Sequence, residues 1–398
     1  MTAIVEAQAV LTSAVLAQDD DLRAFALDLH AHPELAFDEH RSVAALTRAL
    51  RAAGFAVETP VAGLDTAFVA RHRFGPGGPR IALLAEYDAL PGIGHACGHN
   101  LISAAALGAA RALKSVLETD TGELLVIGTP AEEGGGGKII MLEQGVFDDV
   151  DAALMFHPGA RTMTVRGSLA ATRITMRFHG KAAHAAAAPH LGINALDACI
   201  GTFNAINALR QHVRDETRIH GIISHGGDAA NITPAYAEAK FSVRHRRFAY
   251  VQELKERVMT CARGAASAVG ATVEFEEGLA YAERRVNHVL AERFGAHLEA
   301  QGERVLPPPE VGGVGSSDFG NLSQHLPALH PYVAMVPEGT SAHTPEFAAA
   351  AASESGMRAM RLAATALAQT VAELLTSPSL LEAVRDDFRS AHSSGGTA

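Results

Sequence analysis

The stretch "RIALLAEYDALPGIGHACGHNLISAAALGAARAL" (residues 80–113) places an apolar run directly before a polar loop and a long helix of small residues. Two later apolar runs, in "GELLVIGTPAEE" (122–133) and "DAALMFHPG" (151–159), also end in polar clusters, and helix-compatible segments separate the runs. Continuous apolar runs that alternate with helices indicate parallel strands buried on both faces. We therefore predict an α/β fold with a mostly parallel sheet and helices on both faces of that sheet.

The pattern changes near residue 168. In "ATRITMRFHG" (171–180) the side chains alternate in polarity, which predicts a strand with one exposed face. Helical and strand-like segments then follow in the order βαββαβ up to about residue 282, an order typical of ferredoxin-like α+β domains. We expect this domain, 169–282, to be inserted into an α/β domain formed by 1–168 and 283–398.

The composition of the 398 residues narrows the functional classes. The net charge of −11 disfavours binding to nucleic acid or to anionic membranes, because either partner requires a basic surface. The N-terminal segment lacks the basic region of a secretory signal, and no membrane span is predicted. The three cysteines cannot form a disulfide framework. We expect a cytoplasmic protein whose thiols are free or bound to a metal.

Chemically reactive side chains follow the apolar runs. In an open parallel sheet, functional sites form beyond the carboxyl ends of the strands. A further strand is predicted near 333–337. The residues that follow the predicted strands are Glu86, Asp88, Cys97, His99, Glu132, Glu133, His157 and His343. We predict that these side chains converge at one edge of the sheet.

The residue types in this set point to bound metal. Thiolate, imidazole and carboxylate groups are the ligands of zinc, and Cys97, His99, Glu133, His157 and His343 offer more of them than one structural tetrahedral ion accepts. The sequence therefore predicts a pair of divalent cations, which at about 3.5–4 Å from each other can share an activated water. Cys97 also precedes a predicted helix, and the dipole at a helix N-terminus favours the thiolate.

Each of these residues also has a purely structural interpretation. A single histidine at a strand end is more often a surface residue, and "HACGH" (95–99) is compatible with half of a structural zinc site. "EEGGGGK" (132–138) is compatible with a flexible loop, but not with a phosphate-binding loop, because Glu132 and Ile139 replace the required glycine and hydroxyl residues. The metal hypothesis is favoured because all these residues follow neighbouring predicted strands, a coincidence that separate structural explanations do not account for.

Several motifs resemble the aminoacylase and carboxypeptidase G family of dinuclear metal amidohydrolases, over essentially the whole chain. They are "AEYDALPGIGHACGHN" (85–100), "TPAEEGGGGK" (129–138), "HGKAAHAAAAPHLGINALDA" (179–198), "NITP" (231–234), "FSVRHRR" (241–247) and "SAHTPEF" (341–347). Within the family, the likeness is greatest to the branch of indole-acetyl-amino-acid hydrolases, the p-aminobenzoyl-glutamate hydrolase B subunit and Xaa-Arg dipeptidases. The resemblance implies hydrolysis of the amide bond in small N-acyl or N-aminoacyl amino acids, such as p-aminobenzoyl-glutamate or a dipeptide.

The resemblance also assigns roles to the residues chosen above. It implies that Cys97, His99, Glu133, His157 and His343 hold two metal ions, with Cys97 bridging both. Glu132 would act as the general base on the bridging water. Asp88, without binding a metal itself, would orient a metal ligand or tune the metals. Glu86 departs from the carboxypeptidase pattern, which has a histidine ligand there, and His99 is expected to supply that imidazole. Sulfur favours zinc, although relatives of this branch are also active with manganese.

By the same resemblance, the inserted domain is a lid and forms a homodimer. His184 would stabilise the oxyanion across the dimer interface, and Asn231 and Arg244 would bind the free carboxylate of the substrate. Without the resemblance, a loop histidine that caps a helix and an exposed strand arginine are the preferred interpretations. The segment "GGVGSSDFG" (312–320) resembles a glycine-rich loop of a substrate pocket, or is a plain connector.

Two other functions remain open from the sequence. One is a non-catalytic metal-binding scaffold of the same fold, and the other is a single-metal exopeptidase that acts on longer peptides. Glu132 argues against the scaffold, because a scaffold requires the metal ligands but has no use for a base. We expect a small-molecule substrate and no nucleic-acid or membrane partner.

Overall fold

The computed structural model describes residues 2–309 and 315–394, with side chains from 7 to 309 and from 315 to 390. These residues form two compact units, the first made of 2–167, 285–309 and 321–394 and the second of 168–284 and 315–320. The glycine-rich loop predicted at 312–320 lies partly outside the described residues. Within the described chain, no helix combines the length and the apolar composition that crossing a membrane requires.

The secondary structure alternates between strands and helices along most of the chain. The strands are β1 (Ala56–Glu58), β2 (Phe68–Arg73), β3 (Arg80–Ala85), β4 (Glu123–Gly128), β5 (Ala152–Leu154), β6 (His157–Gly159), β7 (Ala170–His179), β8 (Arg218–His225), β9 (Tyr236–His245), β10 (Thr272–Glu277), β11 (Ala328–Leu329) and β12 (Tyr332–Ala334). The helices are α1 (Thr2–Leu16), α2 (Asp19–Ala31), α3 (His40–Ala52), α4 (His99–Val116), α5 (Gly137–Glu143), α6 (Ala195–Leu209), α7 (Phe248–Ala268), α8 (His288–Ala300), α9 (Phe319–His325), α10 (Pro345–Ala350), α11 (Glu354–Thr376) and α12 (Pro378–Ser394).

The first unit is built on a sheet with the strand order β1-β2-β4-β3-β5-β11. Strand β3 pairs in parallel with β4 and β5, and β5 pairs in parallel with β11. Strands β1 and β2 extend one edge in antiparallel orientation, which the apolar runs did not predict. All of β4 and nearly all of β3 are buried, as expected for central strands between covering layers. The predicted mixed α/β fold with a mostly parallel sheet is confirmed.

One predicted strand has a different partner from the one we expected. The strand before His343, β12, does not join the main sheet but pairs in parallel with β6, so that Tyr332 lies opposite His157. Strand β6 follows β5 after two residues and begins at His157 itself. The pairing of β12 with β6, and not with the main sheet, therefore brings the His343 segment towards the strand ends.

Helix α4 connects the site to the core of the first unit. Gly98, the residue before the helix, has a left-handed backbone with φ of 79°, a conformation that glycine adopts without strain. A Cβ atom at Gly98 would lie 2.5 Å from Cγ of Pro158, so a larger residue has no room there. Within the helix, a Cβ atom at Gly108 would lie 2.6 Å from Cδ1 of Leu22, because α2 packs very closely on α4. Small residues in this helix therefore serve close packing.

The second unit consists of an antiparallel sheet with the order β10-β7-β9-β8 and two helices, α6 and α7. Alternate residues of β7, such as Ile174, Met176 and Phe178, are buried in one apolar core with residues of α6 and α7. The intervening residues of β7 point to the opposite face of the sheet. Along the chain the elements follow the order βαββαβ. Cys199 lies in this core, where burial raises its pKa to about 11.

Candidate metal centre

The loop between β3 and α4 supplies the first two donors of the candidate centre. Cys97 and His99 flank Gly98, and the left-handed turn at this glycine lets both side chains reach the same space at the start of α4. Both residues are buried, and the Sγ atom of Cys97 lies 3.4 Å from Nε2 of His157. Donors from the start of α4 and from the start of β6 therefore meet here, as the strand-end argument predicted.

Asp88 orients two other candidate ligands. Its Oδ1 accepts a hydrogen bond from Nδ1 of His99 at 2.9 Å, and its Oδ2 accepts one from the backbone nitrogen of Glu133, also at 2.9 Å. Burial acts to raise the pKa of Asp88, but the charge and the hydrogen bond of His99 outweigh it and hold the pKa below its ordinary value. An ionised Asp88 fixes Nδ1 of His99 as the protonated nitrogen and leaves Nε2 available as a ligand.

The donor atoms fall into three groups in which all ligand atoms lie within 4.8 Å of one another. The groups are Cys97, His99 and His157; Cys97, Glu133 and His343; and His99, Glu132 and Glu133. Nε2 of His343 lies 3.2 Å from Oε1 of Glu133. Cys97, His99 and Glu133 each belong to two of the groups, so the three groups overlap. The structure therefore brings together all the predicted metal donors, from four separate segments of the chain.

The His343 segment adopts a strained backbone. His343 has φ of 65°, in the left-handed region that non-glycine residues rarely occupy, and its backbone nitrogen donates to the carbonyl oxygen of Ala96 at 2.9 Å. Such a conformation costs about 1–3 kcal/mol and persists only where its surroundings hold it. This contact fixes the His343 segment directly beside the loop that carries Cys97.

The donor set and its burial fit divalent cations. Nε2 of His99 is buried and makes no hydrogen bond to any residue that the structure describes. Burial raises the pKa of the Cys97 thiol well above its ordinary value, and the charge of Glu133 raises it further. A bound cation would remove both costs, because it accepts the lone pair of the imidazole and stabilises the thiolate. Sulfur, nitrogen and oxygen ligands together suit zinc better than calcium or magnesium.

Glu132 lies beside these donors on a turn that a buried residue holds in place. Ala131, the preceding residue, has φ of 59°, and its backbone nitrogen donates to Oε1 of Glu39 at 2.9 Å. Glu39 is fully buried, and burial raises its pKa above the ordinary value. The sequence did not reveal Glu39 as part of the site, because this residue lies far along the chain from every motif.

A buried ion pair was also not predicted from the sequence. Nζ of Lys138, in α5, lies 2.6 Å from Oε1 of Glu86, and both side chains are almost completely buried. The second oxygen of Glu86 lies 3.5 Å from Nε2 of His99. Glu86 therefore follows strand β3 as predicted, but its negative charge is balanced by Lys138. The lysine directly after the glycine run was the signal that could have suggested this pair.

The other predicted site residues lie in the second unit. Backbone pairing joins His184 to Ile232, and the backbone nitrogen of Ala185 donates to the carbonyl oxygen of Asn231 at 3.0 Å. Nδ1 of His184 accepts hydrogen bonds from the backbone nitrogens of Ala186 and Ala187 at 3.3 and 3.1 Å. When neutral, its Nε2 is therefore the protonated nitrogen and can donate. The structure thus brings together His184 and Asn231.

Arg244 lies on β9, on the sheet face opposite the helices. Its Nε donates to Oγ of Ser242 at 3.4 Å, and burial lowers its pKa, as does the nearby charge of Arg173. The structural interpretations considered were a loop histidine that caps a helix and an exposed strand arginine; instead, His184 binds backbone nitrogens within a turn, and Arg244 is partly buried on its strand. These contacts leave Nε2 of His184 and the guanidinium of Arg244 available for a ligand.

The comparison with known sequences decides the family. Residues 82–369 match the family model of peptidase family M20/M25/M40. The chain belongs to this family. The M20 chain is 39% identical over 386 residues to a mouse (Mus musculus) Xaa-Arg dipeptidase, covering 92% of this chain and 89% of that protein. It is 42% identical over 264 residues to the p-aminobenzoyl-glutamate hydrolase B subunit of Escherichia coli, covering 61% of this chain and 54% of that protein.

A solved structure supports the fold of the M20 chain. A Bacillus subtilis protein described as a dinuclear metal-binding peptidase of the M20 family superposes with a TM-score of 0.70 at 22% identity, over 90% of this chain and 99% of that chain. Since the family and its similar relatives are named as peptidases and hydrolases, this M20 chain is an amide-bond hydrolase. The non-catalytic scaffold is therefore excluded.

Proposed function

We propose that this protein hydrolyses the amide bond of small N-acyl or N-aminoacyl amino acids with the help of two divalent cations. The observation that carries the proposal is the arrangement of the donor groups, in which Cys97 belongs to two sets of converging ligands. Cys97, His99, Glu133, His157 and His343 would hold the ions. Zinc is the metal that the thiolate favours, and manganese is the alternative.

The cations would supply an acidified water and polarise the substrate carbonyl, which lets hydrolysis proceed near neutral pH. Glu132 accepts the proton of the attacking water on its carboxylate and then delivers it to the nitrogen of the leaving amine. Nε2–H of His184 donates to the carbonyl oxygen as that oxygen gains negative charge. Asp88 keeps His99 and Glu133 in position through its two carboxylate oxygens.

The substrate would be recognised through its free carboxylate. We assign this to the guanidinium of Arg244 and the side-chain amide of Asn231, since a guanidinium binds a carboxylate with two parallel hydrogen bonds. Both similar relatives are named for substrates that end in an amino acid, arginine in one and glutamate in the other. An exopeptidase acting on longer peptides through one metal is the alternative, and the overlap of three donor groups favours the two-metal form.

We further propose that 1–168 with 283–398 form the metal-binding catalytic domain and that 169–282 form a ferredoxin-like lid and dimerisation domain. Strand β8 supports a homodimer, because it is an edge strand with exposed Ile222 and Ile223. An exposed apolar edge strand readily pairs with another chain. A cytoplasmic location agrees with Cys97, Cys199 and Cys261 forming no disulfide with one another.

A matched set of N-acyl amino acids and their C-terminal amides tests this function. We expect kcat/KM for the acid to exceed that for the amide by about 10- to 100-fold, since a charge-assisted hydrogen bond contributes about 1.5–3 kcal/mol. Arg244→Met should remove this difference. Arg246→Met is the control, because Arg246 is exposed and pairs with Glu216.

Two results would contradict these assignments. Equal rates for acids and amides in the unmodified protein would rule out carboxylate recognition by Arg244 and Asn231. Absence of hydrolysis across the whole set, with both metals loaded, would contradict the proposed substrate class.

A further inference from the structure

The connection between α2 and α3, residues 33–39, contacts both of the loops that follow β3 and β4. We call this connection the brace. On one side, the backbone nitrogen of Ala89 in the β3–α4 loop donates to the carbonyl oxygen of Glu34 at 2.8 Å. On the other side, the ring of Phe37 packs on the β4–α5 loop, where a Cβ atom at Gly135 would lie 2.4 Å from Cε2 of that ring. The brace therefore joins two loops that carry candidate site residues and follow neighbouring strands.

The brace is itself held firmly. The carboxylate of Glu34 accepts hydrogen bonds from the backbone nitrogens of Arg41 and Ser42, both at 2.8 Å, which fix the brace to the first turn of α3. Phe37 has φ of 66°, a left-handed conformation that non-glycine residues rarely adopt and that persists only where the surroundings hold it. Because its own conformation is fixed, the brace can fix the position of the loops that it contacts.

Glu39, the last residue of the brace, holds the turn directly before Glu132. Its Oε1 accepts a hydrogen bond from the backbone nitrogen of Ala131 at 2.9 Å, and Ala131 has a left-handed backbone with φ of 59°. The carbonyl oxygen of Ala131 accepts hydrogen bonds from the backbone nitrogens of Gly135 and Gly136 at 3.0 and 2.8 Å. These last two bonds close the turn on itself, whereas the bond to Glu39 ties it to the brace. The direction in which Glu132 leaves the turn therefore depends on Glu39.

We propose that Glu39 is a positioning residue, which holds Glu132 in the orientation that proton transfer requires. The inference rests on the proposed function, in which Glu132 is the base. A displacement of a catalytic group by about 1 Å can lower the rate by about 10²-fold, even when the mutation lies far from the chemistry. Because Glu39 acts through the backbone nitrogen of Ala131, its replacement should lower kcat and leave KM and the metal content unchanged.

Three replacements of Glu39 separate reach from charge. Burial raises the pKa of Glu39 above its ordinary value, so the bond to Ala131 requires an acceptor at the right distance and not a negative charge. Glu39→Gln retains that acceptor and should keep kcat near the unmodified value. Glu39→Met has no acceptor, and Glu39→Asp is one methylene group too short. Both should lower kcat by about 10- to 100-fold.

The test measures kcat, KM and metal content on an N-acyl amino acid for all three variants. A second readout is amide hydrogen exchange in the metal-free proteins. Exchange at Gly134, Gly135 and Gly136 should be faster in Glu39→Met and Glu39→Asp and unchanged in Glu39→Gln. General destabilisation would instead raise exchange throughout the chain.

Glu123→Met is the matched control. Glu123 is also a buried glutamate, but it lies at the beginning of β4, the opposite end from the turn, where its carboxylate contacts Arg73 and Arg80, each at 3.2 Å. This variant should lose stability and keep both kcat and the slow exchange of the three glycines. Loss of kcat in Glu123→Met equal to that in Glu39→Met would overturn the inference, because any lost buried contact would then have the same effect.

The remaining outcomes separate the inference from the proposed function. A value of kcat in Glu39→Gln as low as in Glu39→Met overturns the inference, and so does a raised KM with unchanged kcat. If Glu39→Met does not fold, Glu39→Asp decides, and full kcat in that variant is a refutation. If the unmodified protein hydrolyses no N-acyl amino acid, the proposed function fails, and exchange at the three glycines still decides whether Glu39 holds the turn.

Discussion

Replacement of Glu132 by glutamine should lower kcat by about 10²- to 10⁴-fold, the usual contribution of a positioned acid–base group. Glutamine has almost the same shape, but it can neither accept the proton of the attacking water nor deliver one to the leaving amine. The metal content should stay at the unmodified level, because Glu132 is assigned as base and not as ligand. The measurement is kcat on an N-acyl amino acid, with the metal content of the same sample.

Glu133→Gln is the matched control for this prediction. The two glutamates are adjacent, but Nε2 of His343 lies 3.2 Å from the Glu133 carboxylate, and we assign Glu133 as a ligand. The control should lose metal and activity together. Loss of metal in Glu132→Gln would identify Glu132 as a ligand instead, which its place beside His99 and Glu133 also permits. Full activity in Glu132→Gln would refute its role as base.

Replacement of Lys138 by methionine should lower the free energy of unfolding by about 3–5 kcal/mol, the typical cost of removing one partner of a buried ion pair. Lys138 and Glu86 are both almost completely buried, so the Glu86 carboxylate would lose its nearest counter-charge and keep only His99, whose Nε2 lies 3.5 Å away. The measurement is denaturant unfolding of the metal-free protein, in which metal binding contributes nothing to stability.

The double variant Lys138→Met with Glu86→Gln provides the control. It removes both charges, and most of the lost stability should return if the unpaired carboxylate causes the loss. A single variant within about 1 kcal/mol of the unmodified protein would show that the pair contributes little. A double variant as unstable as the single one would point to lost packing around the lysine stem instead.

The strand-end rule predicted the candidate centre well because it depends on local sequence alone. Apolar runs identified β3, β4 and β5, which are neighbours in the sheet, so the residues after them had to lie close together. His343 joins the other donors for a different structural reason from the one the rule assumes, since β12 pairs with β6 and not with the main sheet. The backbone hydrogen bond from His343 to Ala96 completes that approach, and nothing in the local sequence predicts it.

The features that the sequence could not predict depend on contacts between distant segments. Glu39 lies directly before α3, yet its carboxylate accepts a hydrogen bond from the backbone nitrogen of Ala131, the residue before Glu132. Glu39 and Ala131 are 92 positions apart in the sequence. From the sequence, Lys138 belongs to a segment that is compatible with a flexible glycine loop. In the structure, Lys138 lies in α5 and is buried against Glu86. Local patterns indicate where strands end, but the partners of a buried charge are set by tertiary packing.

The central claim is that Cys97, His99, Glu133, His157 and His343 together hold two divalent cations. The most direct test is the number of zinc ions retained per chain after zinc loading and exhaustive dialysis, measured by elemental analysis. We expect two per chain for the unmodified protein and one or fewer for Cys97→Ala, because both donor groups that contain Cys97 lose a ligand. One ion or none in the unmodified protein, or two in Cys97→Ala, would contradict the claim.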